Sequence, residues 1–213
     1  MTRALKAVPC LPTARPPCRP DDTDELATYS DVVAAYIRDH RPGALRRLRF
    51  FRECETLKRA IEYAARCKLP SGKRHPHQYR IPKKVLAEAE RRLLACAAEL
   101  RECQTFAELH ELVRDRISGI KGIGPLTVYD VSHHLGAHFG LEPEAVYLHA
   151  GTSGGARALG LDHTAESLGM AELPAEFRRL RPHEVEDSLC LYKDELEAID
   201  AEPSAAAADR GRM

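Results

Sequence analysis

The 213-residue sequence predicts an all-α fold: about eight helices in a single domain over 28–200, between disordered ends at 1–27 and 201–213. Runs of Ala, Leu, Glu and Arg outnumber clusters of Val, Ile and Thr, and no Trp is present. Apolar residues recur every three or four positions through most of the chain, which is the spacing of a helix face. Proline and glycine pairs interrupt that spacing at intervals of helix length.

The elements follow in order. The first 24 residues hold Pro9, Pro12, Pro16, Pro17 and Pro20 with few large apolar side chains, so burial cannot offset their ordering entropy. Periodicity starts after Ser30, an expected N-cap, and Pro42-Gly43 is expected to break that helix. Leu45, Leu48, Phe51, Leu57, Ile61 and Ala64 then mark one long or two short amphipathic helices, with arginines filling the other faces. The stretch KLPSGKRHPHQYRI at 68–81 reads as a basic loop, and Pro82 opens a helix reaching about Glu102. Thr105 with Glu108 forms a capping box for the next helix, over 106–117. A turn follows, then a helix ended by Gly140. Gly151 to Gly155 reads as a second glycine-rich turn before a short helix at 156–161, and acidic helices are expected over 172–180 and 182–199.

Composition excludes several classes. No apolar run approaches the roughly 20 residues of a membrane span, and the N-terminus lacks a signal-like block, so no membrane partner and a cytoplasmic location are expected. Seven cysteines without a CxxC pair argue for reduced thiols, with neither a disulfide framework nor a zinc ribbon. Charge is balanced overall but unevenly spread: 41–92 carries 16 Lys and Arg against 5 Asp and Glu, whereas 140–213 carries 7 against 15. A basic segment suits a polyanion, whose counterions it would release. Asp130, His134 and His138 share one helix face, as do His183, Glu186, Asp187 and Cys190. Both sets read as solvated faces, and no metal is expected.

The most informative stretch is Ile117 to Val131, ISGIKGIGPLTVYDV. Gly122 and Gly124 would permit positive φ and a close backbone approach, and Pro125 suits the first position of a new helix. Free N–H groups there suit a phosphate. These residues resemble the helix-hairpin-helix motif, in the L-P-G-V-G-P-K-T-A form of the helix-hairpin-helix DNA glycosylase superfamily, and the resemblance covers roughly Phe106 to Leu161. It implies an endonuclease III-like helical core, a double-stranded DNA partner, and backbone contacts from Gly119, Lys121, Gly122, Ile123, Gly124 and Thr127 at the motif at 106–139. Lys73, Arg74, Arg80 and Lys83 of the basic segment would add phosphate contacts.

Two departures bear on chemistry. The superfamily's lysine nucleophile falls on Leu126, which cannot form a Schiff base. Its aspartate, in a V-D-x-H-like segment, falls on Tyr147 of Val146-Tyr147-Leu148-His149. The expectation is therefore a DNA-binding protein without conventional glycosylase catalysis. The alternatives are a monofunctional glycosylase with an atypical site at Glu144, Tyr147 and His149, lacking lyase activity, and a helical interaction module. Some relatives carry a four-cysteine iron–sulfur loop after the core; only Cys190 lies beyond 103 here, so no cluster or other cofactor is expected.

Overall fold

A computed structural model describes residues 26–75 and 78–201, and it is mostly helical. Of the ends expected to be disordered, 1–27 and 201–213, residues 1–25 and 202–213 lie outside the described residues, while Ala201 is the last residue of a helix. The helices are α1 (Tyr29–Ala35), α2 (Arg41–Arg52), α3 (Leu57–Ala65), α4 (Lys83–Ala95), α5 (Ala97–Glu102), α6 (Phe106–Ile117), α7 (Pro125–Phe139), α8 (Ala150–Ala158), α9 (Pro182–Leu191) and α10 (Lys193–Ala201). A two-residue antiparallel ladder pairs β1 (Val146–Tyr147) with β2 (Ser167–Leu168). No helix among the described residues is long and apolar enough to cross a membrane.

Local signals account for most boundaries. The Thr105–Glu108 capping box opens α6, and Gly140 closes α7 at φ 78°. Others differ from expectation. The first cap is Thr28, boxed with Asp31, rather than Ser30. Pro42-Gly43 does not break the helix, because a wide π turn over Tyr36–His40 joins α1 to α2. There the Arg41 N–H reaches back to the Tyr36 carbonyl, and Pro42 then falls in the first turn of α2, where its missing N–H is tolerated. The helix after Pro82 divides at Cys96, and the 182–199 helix divides at Tyr192. The expected 172–180 helix is a 3-10 turn over Ala175–Arg179.

The largest departure is at Gly151 to Gly155, which lies inside α8 instead of forming a turn. Gly155 serves packing. A Cβ on Gly155 would stand 2.3 Å from the Leu189 carbonyl oxygen, so α8 and α9 cross in near backbone contact. Gly155→Ala should therefore cost about 1–3 kcal/mol through overpacking. Gly154→Ala, which would meet only the Lys193 side chain at 3.8 Å, should stabilise the helix by up to about 1 kcal/mol. Thermal denaturation of the two variants checks the sign; equal melting points would rule out the tight crossing.

Two apolar clusters form the core. One gathers Leu48, Phe51, Ile61, Leu93, Leu109, Val113 and Leu135 from α2 to α7. The other gathers Val32, Tyr36, Val146, Phe177, Val185, Leu189 and Leu196 from α1 and the acidic C-terminal half. The continuous helix from Tyr29 to Arg52 passes from the second cluster into the first. Arg41 clamps it to α9 through two bonds to buried Glu184, 2.7 and 2.8 Å. Burial pushes the Glu184 carboxyl up, but the Arg41 guanidinium outweighs it and holds the carboxyl below its ordinary range.

Candidate functional site: a hairpin beside an acidic cavity

The hairpin between α6 and α7 is tightened by Ile120 N–H to the Ile117 carbonyl and Ile123 N–H to the Ile120 carbonyl. Buried Ile120 and Ile123 pin it to the first cluster. Gly122 adopts φ 104°, a left-handed value that favours glycine. Gly124 does not share it: at φ −108° it is the extended N-cap of α7. Gly119, Lys121, Gly122 and Gly124 are exposed, and a Cβ at Gly119 or Gly124 would meet nothing within 4 Å. Among the described residues no backbone hydrogen bond engages the N–H groups of Lys121, Gly122 or Gly124. The outer edge of the turn is thus a set of open donors at the start of a 15-residue helix.

Two of the expected backbone contacts are placed otherwise. The Ile123 N–H is spent within the turn and its side chain is buried. Thr127 is buried as well, and its hydroxyl points inward to Gln78.

Inward from the hairpin, a cavity of about 280 Å³ opens between the two clusters. The first turns of α7 supply Leu126, Tyr129, Asp130, His133 and His134; α2 supplies Arg47, and the loop after α3 supplies Cys67, Lys68, His75 and Gln78. Across from them stand Glu186, Asp187 and Cys190 of α9, with Asp39 and His40 of the π turn. Leu126, where the resemblance would put a lysine, is part of the wall. The cavity lysine, Lys68, is tied to Glu62 at 2.7 Å.

Burial dominates the cavity's electrostatics. It raises the Asp130 carboxyl to about 6, against the stabilising bond from Gln78 and the charge of Arg47. It pushes Glu186 well above the ordinary carboxyl range, with Asp187 and Asp130 adding to the effect. His133 and His134 are driven well below the usual imidazole range, again by burial first, and are neutral. His134 stacks on Phe51 at 4.2 Å between centroids. The Cys67 thiol is pushed up to about 12 by burial, so it is no nucleophile at neutral pH. The Tyr36 hydroxyl donates to Asp187 Oδ2 at 2.9 Å. The buried Tyr129 hydroxyl, by contrast, has no hydrogen-bond partner among the described residues.

The expected catalytic trio is dispersed. Glu144 is exposed and does not line the cavity. Tyr147 packs in an aromatic group with Phe106, His110 and Tyr129 at 5.4, 4.5 and 5.8 Å, and burial raises its hydroxyl, with the charge of Glu144 second. His149 is the buried N-cap of α8. Its Nδ1 accepts from the Gly151 N–H at 3.1 Å, so Nε2 carries the proton and donates to Glu186 Oε1 at 2.5 Å. His149 therefore supports the cavity wall from behind.

The two polar helix faces read as solvated are not. Asp130 and His134 from one, and Glu186, Asp187 and Cys190 from the other, face each other across the cavity. His138 turns to the Phe51 carbonyl at 3.2 Å, and His183 is buried against the His133 ring at 4.8 Å. Among the described residues no group of three or more His, Cys, Asp or Glu is arranged to hold a metal ion.

The basic residues divide into anchors and free cations. Arg74 donates to the carbonyls of Tyr79 and Ile81 at 3.2 and 2.7 Å, which fixes the loop. It joins Arg66, Lys68 and Lys83 around a small groove of about 240 Å³. The groove neighbours the hairpin: Val85, two residues past Lys83, is what a Cβ on Gly122 would touch. Lys73, Arg80 and Lys83 are exposed, as is Tyr79.

No protein-family model, curated protein or solved structure matches the chain.

Proposed function

We propose that this chain is a DNA-binding protein that holds one strand of a duplex on the open N–H groups of the hairpin and admits an everted nucleotide to the adjoining cavity, where Asp130 assists hydrolysis of the base–sugar bond. The carrying observation is the position of Asp130. It is a carboxylate at the cavity wall, less than two helical turns from the hairpin, with a pKa of about 6, close to working pH. In this role the ionised carboxylate first balances the positive charge that develops on the sugar as the bond to the base breaks and the base leaves with its electron pair, and then accepts a proton from the water that adds to C1′. Eversion into a closed pocket is the general means by which a base inside a duplex becomes accessible to chemistry. The uneven charge supports the same partner, since the exposed cations cluster on the segment that borders the hairpin.

The reading is monofunctional. With Leu126 in the wall and Lys68 held by Glu62, no free amine faces the cavity among the described residues, so borohydride should trap no adduct on abasic DNA. A trapped adduct would replace hydrolysis by Schiff-base chemistry. Release of free base from damaged duplexes is the direct test of the whole proposal; salt-dependent binding without release would reduce it to a DNA-binding protein.

Phosphate contacts carry their own signature. Log affinity should fall linearly with log salt, by about 0.9 per phosphate neutralised. Charge reversal at Lys73, Arg80 and Lys83 should flatten that slope. Arg74 is excluded from the set because its loss would release the loop. An unchanged slope would remove these three from the interface.

A further inference from the structure

The side chain that touches Asp130 comes from the basic loop. Gln78 is 3% exposed and spans from loop to helix: its Nε2 donates to Asp130 Oδ2 at 2.8 Å, and its Oε1 accepts from the Thr127 hydroxyl at 2.9 Å. Thr127 and Asp130 lie three residues apart on one face of α7, so a single amide bridges both. The amide's orientation is determined by its partners. A carboxylate accepts only, so the NH2 must face Asp130, and the remaining Oε1 requires a donor, which the threonine hydroxyl supplies. Among the described residues Asp130 Oδ1 accepts no hydrogen bond, which leaves that oxygen open at the cavity wall.

We propose that Gln78, oriented by Thr127, is the positioning residue for Asp130: it holds Oδ2 in place, favours the ionised carboxylate and presents Oδ1 to the reacting water. The inference rests on the hydrolytic reading of the cavity for its last clause only. Arg47 of α2 acts on Asp130 in the same sense as Gln78. Asp187 of α9 opposes ionisation by like charge, while Glu186 of α9, itself pushed up by burial and by the charges of Asp187 and Asp130, and Asp39 of the π turn share the wall. His133 and His134 on its own helix are neutral, as is the Cys67 thiol. His40, His75, Lys68, Tyr129 and Cys190 complete the titratable wall.

The test uses the full chain with carboxyl-labelled aspartate, the Asp130 signal being assigned by its absence in Asp130→Asn. In Gln78→Leu the carboxylate loses its donor, and its NMR titration midpoint should move up by about one pH unit. Thr127→Val, nearly isosteric, should move it the same way by less, because the amide is then free to rotate. Thr127→Ser, which keeps the hydroxyl, should titrate as the unaltered protein does. An unmoved midpoint in folded Gln78→Leu and Thr127→Val overturns the proposal, whatever the protein does to DNA. If base release is observed, Gln78→Leu should lower kcat about fivefold more near pH 6 than above pH 8. A kcat reduced equally at every pH would make Gln78 merely structural and also overturn it. Base release by no variant, with the midpoint shifted as expected, defeats the hydrolytic reading and leaves the network standing.

Discussion

Asp130→Asn should reduce base release by roughly 10²- to 10⁴-fold, the range expected for loss of a positioned general base. Duplex affinity, set by the hairpin and the exposed cations, should stay within about twofold. In the parent protein the rate should rise with pH through about 6 and then level, because the carboxylate is the active form. Stability should run the opposite way. The folded-state pKa lies above the ordinary 3.8, so the contribution of the protonated group is complete below about pH 4 and disappears as pH rises through about 6. At pH 8 the native fold therefore carries a buried charge that asparagine would remove, while the bond from Gln78 can be kept. Asp130→Asn should melt no lower than the parent at pH 8. A variant that loses activity by unfolding would assign Asp130 to the fold instead.

Gly124→Leu should abolish measurable duplex binding without unfolding the chain. The two glycines of the hairpin separate fold from interface. Gly124 has φ −108° and open space around a built Cβ, so a side chain there is conformationally allowed and projects where the phosphate would approach. Gly122 has φ 104°, and leucine there would be strained whatever the available space. Gly122→Leu should thus lower the melting point as well as binding, whereas Gly124→Leu should lower binding alone. Circular dichroism and a labelled-duplex titration distinguish them. Full affinity in folded Gly124→Leu would take the hairpin out of the interface.

How legible the protein is in its sequence depends on the range of the information. Features written in neighbouring residues could be read directly: the Thr105–Glu108 capping box, Gly140 at the end of α7 and the Ile117–Val131 hairpin stretch. Features decided by a distant partner could not. Gly151 to Gly155 has turn composition but is helical because α9 needs the close approach of Gly155. Pro42 reads as a breaker until the π turn before it places it in a first turn. The cavity fails for the same reason. Periodicity shows that Asp130 and His134 share a face, and that Glu186, Asp187 and Cys190 share another, but not that the two faces meet. Gln78 carries no pattern at all; a neutral amide in a charged loop gives no local sign of being buried. The one available hint was the rarity of an Asp on a helix otherwise as apolar as α7.

The π turn over Tyr36–His40 has a consequence for how the protein comes apart. The helix containing it is rooted in one apolar cluster by Val32 and Tyr36 and in the other by Leu48 and Phe51, so it acts as a strut across the cavity. Neither half can melt without fraying the helix that anchors the other, and the amides on both sides of the turn should exchange with solvent at similar, near-global free energies. Removing one residue from the turn would rotate one root by about 100° against the other. Such a deletion should convert a single cooperative unfolding transition into two.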